Sequence, residues 1–162
     1  MELYLMQHGQ AVAKEEDPEQ PLSREGVEAI KASAAAIRRM GLHFDVIIAS
    51  PKRRSRQTAA LVAEAVNYPY SDIVETELVK PMTAPGETLK FLQQYLGEGA
   101  VLIAGHLPSL GEIASSLLSD GSKVHLHFEN GGLCHLSVPN LPTYEAQLRW
   151  SLTAAQLAML AK

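Results

Sequence analysis

The sequence is short of the residues that mark several protein classes. A single cysteine, Cys134, in 162 residues cannot close an intramolecular disulfide, which excludes a disulfide-stapled fold and fits a reducing compartment. Lys and Arg number 14 against 18 Asp and Glu, a net charge of −4, so the basic excess that a nucleic-acid binder carries is missing. No apolar run approaches the ~18 residues of a membrane span, and only Leu3 to Met6 are apolar after Glu2, too few for a signal-peptide core. We therefore expect a cytoplasmic protein with neither nucleic acid nor membrane as a partner. Internal repeats, low-complexity tracts and long Pro/Gly linkers are absent as well, which excludes solenoids and an interdomain boundary. What remains, 46% hydrophobic and 20% charged residues, is ordinary globular composition. The length predicts one domain over 1–162.

The pattern of apolar residues predicts strands alternating with helices. Leu3 to Met6 and the β-branched run Val46 to Ala49 read as buried strands. Between them Ser23 caps a helix through Ile30, Ile37 and Met40, with Gly41 placed for a left-handed stop. Ser50 followed by Pro51 predicts the start of a second helix, through Ala59, Val62 and Val66. Residues 73–78 read as a weak strand, 87–96 as a helix closed by Gly97, and Ala100 to Ala104 as a third strong strand. Ser109 is placed to cap a helix to about Leu118. The last quarter alternates over 124–128, 133–138 and 146–152. The first two of these runs are predicted to pair as a hairpin across Asn130-Gly131, and Thr153 caps a terminal helix. The expected architecture is α/β, a single three-layer domain with a mostly parallel central sheet flanked by helices. Ligands of such sheets bind beyond the carboxyl ends of the strands.

Each strong strand ends in residues suited to an anion: Gln7-His8-Gly9, then Ser50 to Arg56 with Lys52, Arg53, Arg54 and Arg56, then Gly105-His106. Gly9 allows close backbone approach, and a helix start near Ser50 offers free N–H groups and a positive dipole end. Alone, a histidine at a strand end is more often structural and a basic run more often a solvated helix face. Their joint placement at three strand ends points to one anion site.

These residues resemble the signatures of the histidine phosphatase superfamily, whose first motif is Arg-His-Gly. The second, Ser-Pro-x-x-Arg-x-x-Gln-Thr, is similar to Ser50, Pro51, Arg54, Gln57 and Thr58, and the third, Gly-His, to Gly105-His106. The Pro21-Leu22-Ser23 loop and the His106-Leu107-Pro108 continuation resemble the compact phosphohistidine phosphatases of that superfamily. The resemblance implies a phosphoglycerate-mutase-like fold and His8 as the nucleophile, phosphorylated and then hydrolysed without metal or cofactor. It implies that Arg54 is a fork for phosphoryl oxygens, that His106, if protonated, is a second charged donor, and that Gln7 and Gly9 complete the phosphate site. The implied partner is a protein carrying phosphohistidine, with phosphate or another oxyanion as ligand.

Gln7 departs from the pattern, since glutamine offers N–H donors but no charge. Losing one preorganised donor to a developing oxyanion typically costs ~2.7–4 kcal/mol. Lys52, Arg53, Arg56 and Lys80 are the neighbouring cations that could restore the charge. Glu75 and Glu77 are the candidate general acids, although a nitrogen leaving group can carry its own proton. Two rival readings stay open: a phosphate- or phosphohistidine-binding module without turnover, and a broad small-molecule phosphatase. His125, His127 and His135 with Cys134 form a third candidate, a zinc or copper site, against which their spacing matches no standard motif. His43, after a helix end, is expected to have no chemical role.

Overall fold

The computed structural model describes residues 1–120 and 124–162. In chain order its elements are β1 (Glu2–Gln7), α1 (Arg24–Arg39), β2 (Val46–Ala49), α2 (Arg53–Ala65), β3 (Val74–Glu75), α3 (Pro85–Leu92), β4 (Ala100–Gly105), α4 (Ser109–Leu118), β5 (Leu133–Ser137), β6 (Gln147–Leu152) and α5 (Ala154–Leu160). The six strands form one sheet in the order β3-β2-β4-β1-β5-β6. The first four are mutually parallel, and β5 and β6 extend the sheet antiparallel. No helix among the described residues is long and apolar enough to cross a membrane.

The period of two along each central strand builds the layers. Leu3, Leu5, Ile48, Val101 and Ile103 face α3 and α4, joining Leu92, Leu110, Ile113 and Leu117. Met6, Ile47, Leu102 and Ala104 face the other way, onto Ile30, Ile37, Ala59, Val62 and Leu157 of α1, α2 and α5. Both faces are covered, which is why these strands are continuous apolar runs with no polar alternation.

The N-cap of α1 is Ser23, whose Oγ accepts from the Gly26 N–H at 3.0 Å, and Gly41 adopts φ +71 after its end. Thr153 and Gln156 form a reciprocal capping box on α5.

Other expectations are corrected. The second helix begins at Arg53 with Lys52 as its cap, not at Ser50-Pro51. The Ser50 hydroxyl is engaged elsewhere, as described below. Ser109 is the first residue of α4, not its cap, and its buried hydroxyl has no partner among the described residues. The helix expected over 87–96 starts at Pro85 and tightens into a 3₁₀ turn over Gln93–Tyr95. Only Val74 and Glu75 of the weak strand pair with β2, the chain then coiling into a 3₁₀ turn at Glu77–Val79.

Residues 124–128 are not a strand, and the predicted hairpin does not form. The two edges of β5 are taken by β1 and β6, leaving no ladder for that run. Phe128 and Leu126 pack instead into the α3/α4 layer. The Asn130-Gly131 turn, with Gly131 at φ +77, leads straight into β5.

Candidate functional site

His8 follows β1, and its ring geometry fixes its proton. Nδ1 lies 2.7 Å from the carbonyl oxygen of Gly9. A carbonyl only accepts, so Nδ1 carries the proton and Nε2 the lone pair. Arg54, in the first turn of α2, agrees independently, because its Nε, a donor only, donates to His8 Nε2 at 3.1 Å. Burial pushes the His8 pKa below the ordinary histidine value, opposed by the Gly9 carbonyl and reinforced by the Arg54 charge. His8 is therefore a neutral imidazole whose Nε2 lone pair accepts from the Arg54 guanidinium. Burial also lowers the Arg54 pKa from its usual high value.

His106 follows β4 and is 1% exposed, its ring centroid 4.9 Å from that of His8. Its Nε2 is 2.6 Å from Ser50 Oγ, at the end of β2. That hydroxyl already accepts from the Lys52 N–H at 3.3 Å. Among the described residues His106 Nε2 is the acceptor left for the hydroxyl's own proton. Ser50 consequently donates to Nε2, and the His106 proton lies on Nδ1, which is buried with no protein partner. Burial first, then the neighbouring His8, Arg54 and Lys52, lower the His106 pKa to about 3. The condition set for a charged donor is therefore not met: at neutral pH His106 is a neutral N–H donor.

The rest of the second signature holds this frame together. Thr58 is fully buried; its Oγ1 accepts from the Gly9 N–H at 3.1 Å and donates to the Arg54 carbonyl at 2.8 Å. Gln57 Oε1 takes the Leu22 N–H at 2.7 Å and so anchors the loop before α1. Gly9 is small for a different reason from the one expected. A Cβ there would meet Ile30 Cγ1 at 2.7 Å, so glycine lets β1 and α1 close-pack, and its N–H is already committed to Thr58. Residues outside the motifs contribute too. Asn130 Nδ2 donates to the His8 carbonyl at 2.8 Å, and the Gly131 N–H to the Gln7 carbonyl at 3.0 Å. The sequence marked these two as a hairpin turn, and nothing local signalled that they clamp the end of β1.

Gln7 is half-buried, with its amide oxygen turned into the protein and unpartnered among the described residues. A cavity of about 260 Å³ opens beside Arg54, lined also by Glu19, Lys52, Arg53, Glu77 and Lys80. Arg53 pairs with Asp17 at 3.8 Å, Arg56 with Glu75 at 3.9 Å, and Lys80 with Glu77. Both candidate acids, Glu75 and Glu77, are thus engaged with cations.

The His/Cys cluster does not assemble. His135 bonds Glu2 at 2.5 Å and stacks on Tyr4, Cys134 points into the opposite layer, and His125 and His127 are exposed. Among the described residues no group of three His, Cys, Asp or Glu could hold a metal ion. His43 is exposed beyond α1.

Two histidines and an arginine thus stand together at the strand ends of a doubly covered α/β sheet, and comparison with known proteins gives the family. The sequence pattern of the Histidine phosphatase superfamily (branch 1) matches residues 3–78. An uncharacterized protein of Picosynechococcus is 31% identical over 141 residues, 84% of each chain. The phosphohistidine phosphatase SixA of Escherichia coli is 29% identical over 120 residues, 72% of this chain and 74% of that one. Among solved structures, a protein histidine phosphatase SixA complexed with tungstate superposes with TM-score 0.86 at 21% identity, over 97% of this chain and 99% of that one. The alpha-ribazole phosphatase of Shigella flexneri has the same fold, with TM-score 0.75 at 17% identity over 95% and 97%. The chain belongs to the histidine phosphatase superfamily, and that membership together with the SixA similarity supports phosphatase activity.

Proposed function

We propose that the protein hydrolyses phosphohistidine carried on another protein, with His8 as nucleophile. The observation that carries this reading is the neutral His8 imidazole, its proton held by the Gly9 carbonyl and its Nε2 lone pair directed at Arg54. As phosphorus approaches, the Arg54 guanidinium moves its hydrogen bond from Nε2 to the phosphoryl oxygens, freeing the lone pair and neutralising charge. Nε2 forms a bond to phosphorus while the substrate's P–N bond breaks. The departing imidazole already carries a proton on its other ring nitrogen and leaves as the neutral ring, so neither Glu75 nor Glu77 is needed as acid. Neutral His106 donates Nδ1–H to a phosphoryl oxygen. Water then attacks phosphohistidine at position 8, releasing inorganic phosphate and restoring His8.

The similarity to the SixA of Escherichia coli supports this substrate class, as does the open cavity beside Arg54, which suits a protein-borne group. Gln7 favours a second reading, a binding module that holds phosphate or phosphohistidine without turnover, because one position at the phosphate seat lacks a charge. The two differ in one measurement. After mixing with phosphoramidate, the enzyme acquires an acid-labile phosphoryl group on His8, read by mass spectrometry at neutral pH, and His8→Ala acquires none. Saturable phosphate binding with no labelled His8 would establish the binding module instead. A broad small-molecule phosphatase is separated by a panel, in which phosphorylated metabolites would turn over faster than a phosphohistidine protein.

A further inference from the structure

The charge balance of the site is uneven. A phosphoryl dianion there would face one guanidinium, Arg54, with His106 neutral and Gln7 an amide. A second cation there would balance it, and the surroundings discriminate among the four that the sequence leaves open. Arg53 is tied to Asp17, Arg56 to Glu75, and Lys80 to Glu77. Among the described residues, Lys52 is the member of this set with no carboxylate within ion-pair distance of its ammonium. It is the cap residue of α2, two positions before Arg54 in the chain, and lines the same cavity. Its backbone N–H bonds Ser50 Oγ, the same hydroxyl that holds His106, which ties its main chain to the site by a 3.3 Å contact.

We propose that Lys52 is a phosphate-binding residue of this chain, supplying the positive charge that Gln7 does not. The inference rests on the reading that the site at His8 takes a phosphoryl group. The field of Lys52 reaches the site, since its charge is one of the causes that keep His106 neutral. An ammonium on a flexible stem provides charge with little geometry, unlike the fork of an arginine. Lys52 therefore acts chiefly on ground-state anion affinity, and its contribution falls with salt. The group that opposes it is Glu19, a lining carboxylate of the cavity with no ion-pair partner among the described residues.

Inorganic phosphate is the probe, titrated calorimetrically into the full chain at low salt. Lys52→Met weakens phosphate binding about tenfold, as expected for one charge-assisted contact, and Lys52→Arg restores most of it. The paired measurement is made with Gln7→Arg. Once position 7 carries the charge, Lys52→Met loses less than about threefold, because the two residues answer the same need. Phosphate affinity unchanged in Lys52→Met, or an equal loss in both backgrounds, overturns the proposal. The readout needs no turnover: phosphate that binds through Lys52 without His8 labelling would refute the hydrolase reading and leave this one standing.

Discussion

Replacing Ser50 by alanine tests the hydrogen-bond logic of the site directly. Ser50 is 0% and His106 1% exposed, so water does not take over when the hydroxyl is removed. His106 Nε2 then stands buried without a partner, at a cost of about 1–3 kcal/mol. The same quantity is what held the proton on Nδ1, a preference of about 5- to 150-fold between the two neutral tautomers. In Ser50→Ala that preference vanishes, and a fraction of His106 presents a lone pair where the phosphoryl oxygen needs a donor. Two lone pairs facing each other repel, so turnover falls about tenfold or more and labelling slows with it, while His8 remains the residue labelled. Nitrogen NMR of protein labelled at histidine reads the proton position without any assay of activity. Wild type should show His106 protonated at Nδ1 alone, Ser50→Ala a mixture, and Ser50→Thr, which keeps the hydroxyl, the wild-type pattern if it folds. Wild-type His106 carrying its proton on Nε2, or an unchanged tautomer in Ser50→Ala, would refute the reasoning.

Gln7→Arg should raise kcat/KM on phosphoramidate by about 100-fold, at the low end of the ~2.7–4 kcal/mol typical of one donor to a developing oxyanion. The substitution also removes a buried amide oxygen that has no partner among the described residues, and an unchanged rate would show that position 7 takes no part. Stability should fall in acid through His106. The fold keeps this ring neutral down to about pH 3, whereas the unfolded chain protonates it below about pH 6.5. The unfolded state thus binds the extra proton, and the fold loses about 1.4 kcal/mol per pH unit across that window. His106→Gln should flatten the slope of urea-unfolding free energy against pH between about 6 and 4; equal slopes in the two proteins would falsify the assignment. The acid limb of activity should be displaced below the ordinary histidine value of about 6.5, because burial lowers the His8 pKa; a fall already complete at pH 6.5 would contradict a neutral, buried nucleophile.

The central layers were legible because their signals are local. Val46 to Ala49 and Ala100 to Ala104 are apolar on both faces because both faces are covered, and Ser23 caps because its hydroxyl has no competing partner. Where the reading failed, a residue with a good local signal was claimed by a distant one. Ser50 before Pro51 is a sound helix start, yet its hydroxyl bonds His106, 56 positions away, and α2 begins three residues later with Lys52 as cap. The alternation over 124–128 is a fair strand pattern, but β1 and β6 had already taken both edges of β5. His135 beside Cys134 reads as ligand spacing until β1 brings Glu2 within 2.5 Å of the imidazole.

The same competition shapes the candidate site. The sequence could bring His8, Arg54 and His106 to neighbouring strand ends, because each follows an apolar run in a parallel sheet. It could not assign their protons, which depend on the Gly9 carbonyl and the Ser50 hydroxyl. A histidine becomes a nucleophile or a donor according to which of its nitrogens a neighbour occupies. Here a carbonyl acceptor leaves one ring a lone pair on Nε2 and a hydroxyl leaves the other an N–H on Nδ1, so two identical side chains 4.9 Å apart are given opposite hydrogen-bonding roles.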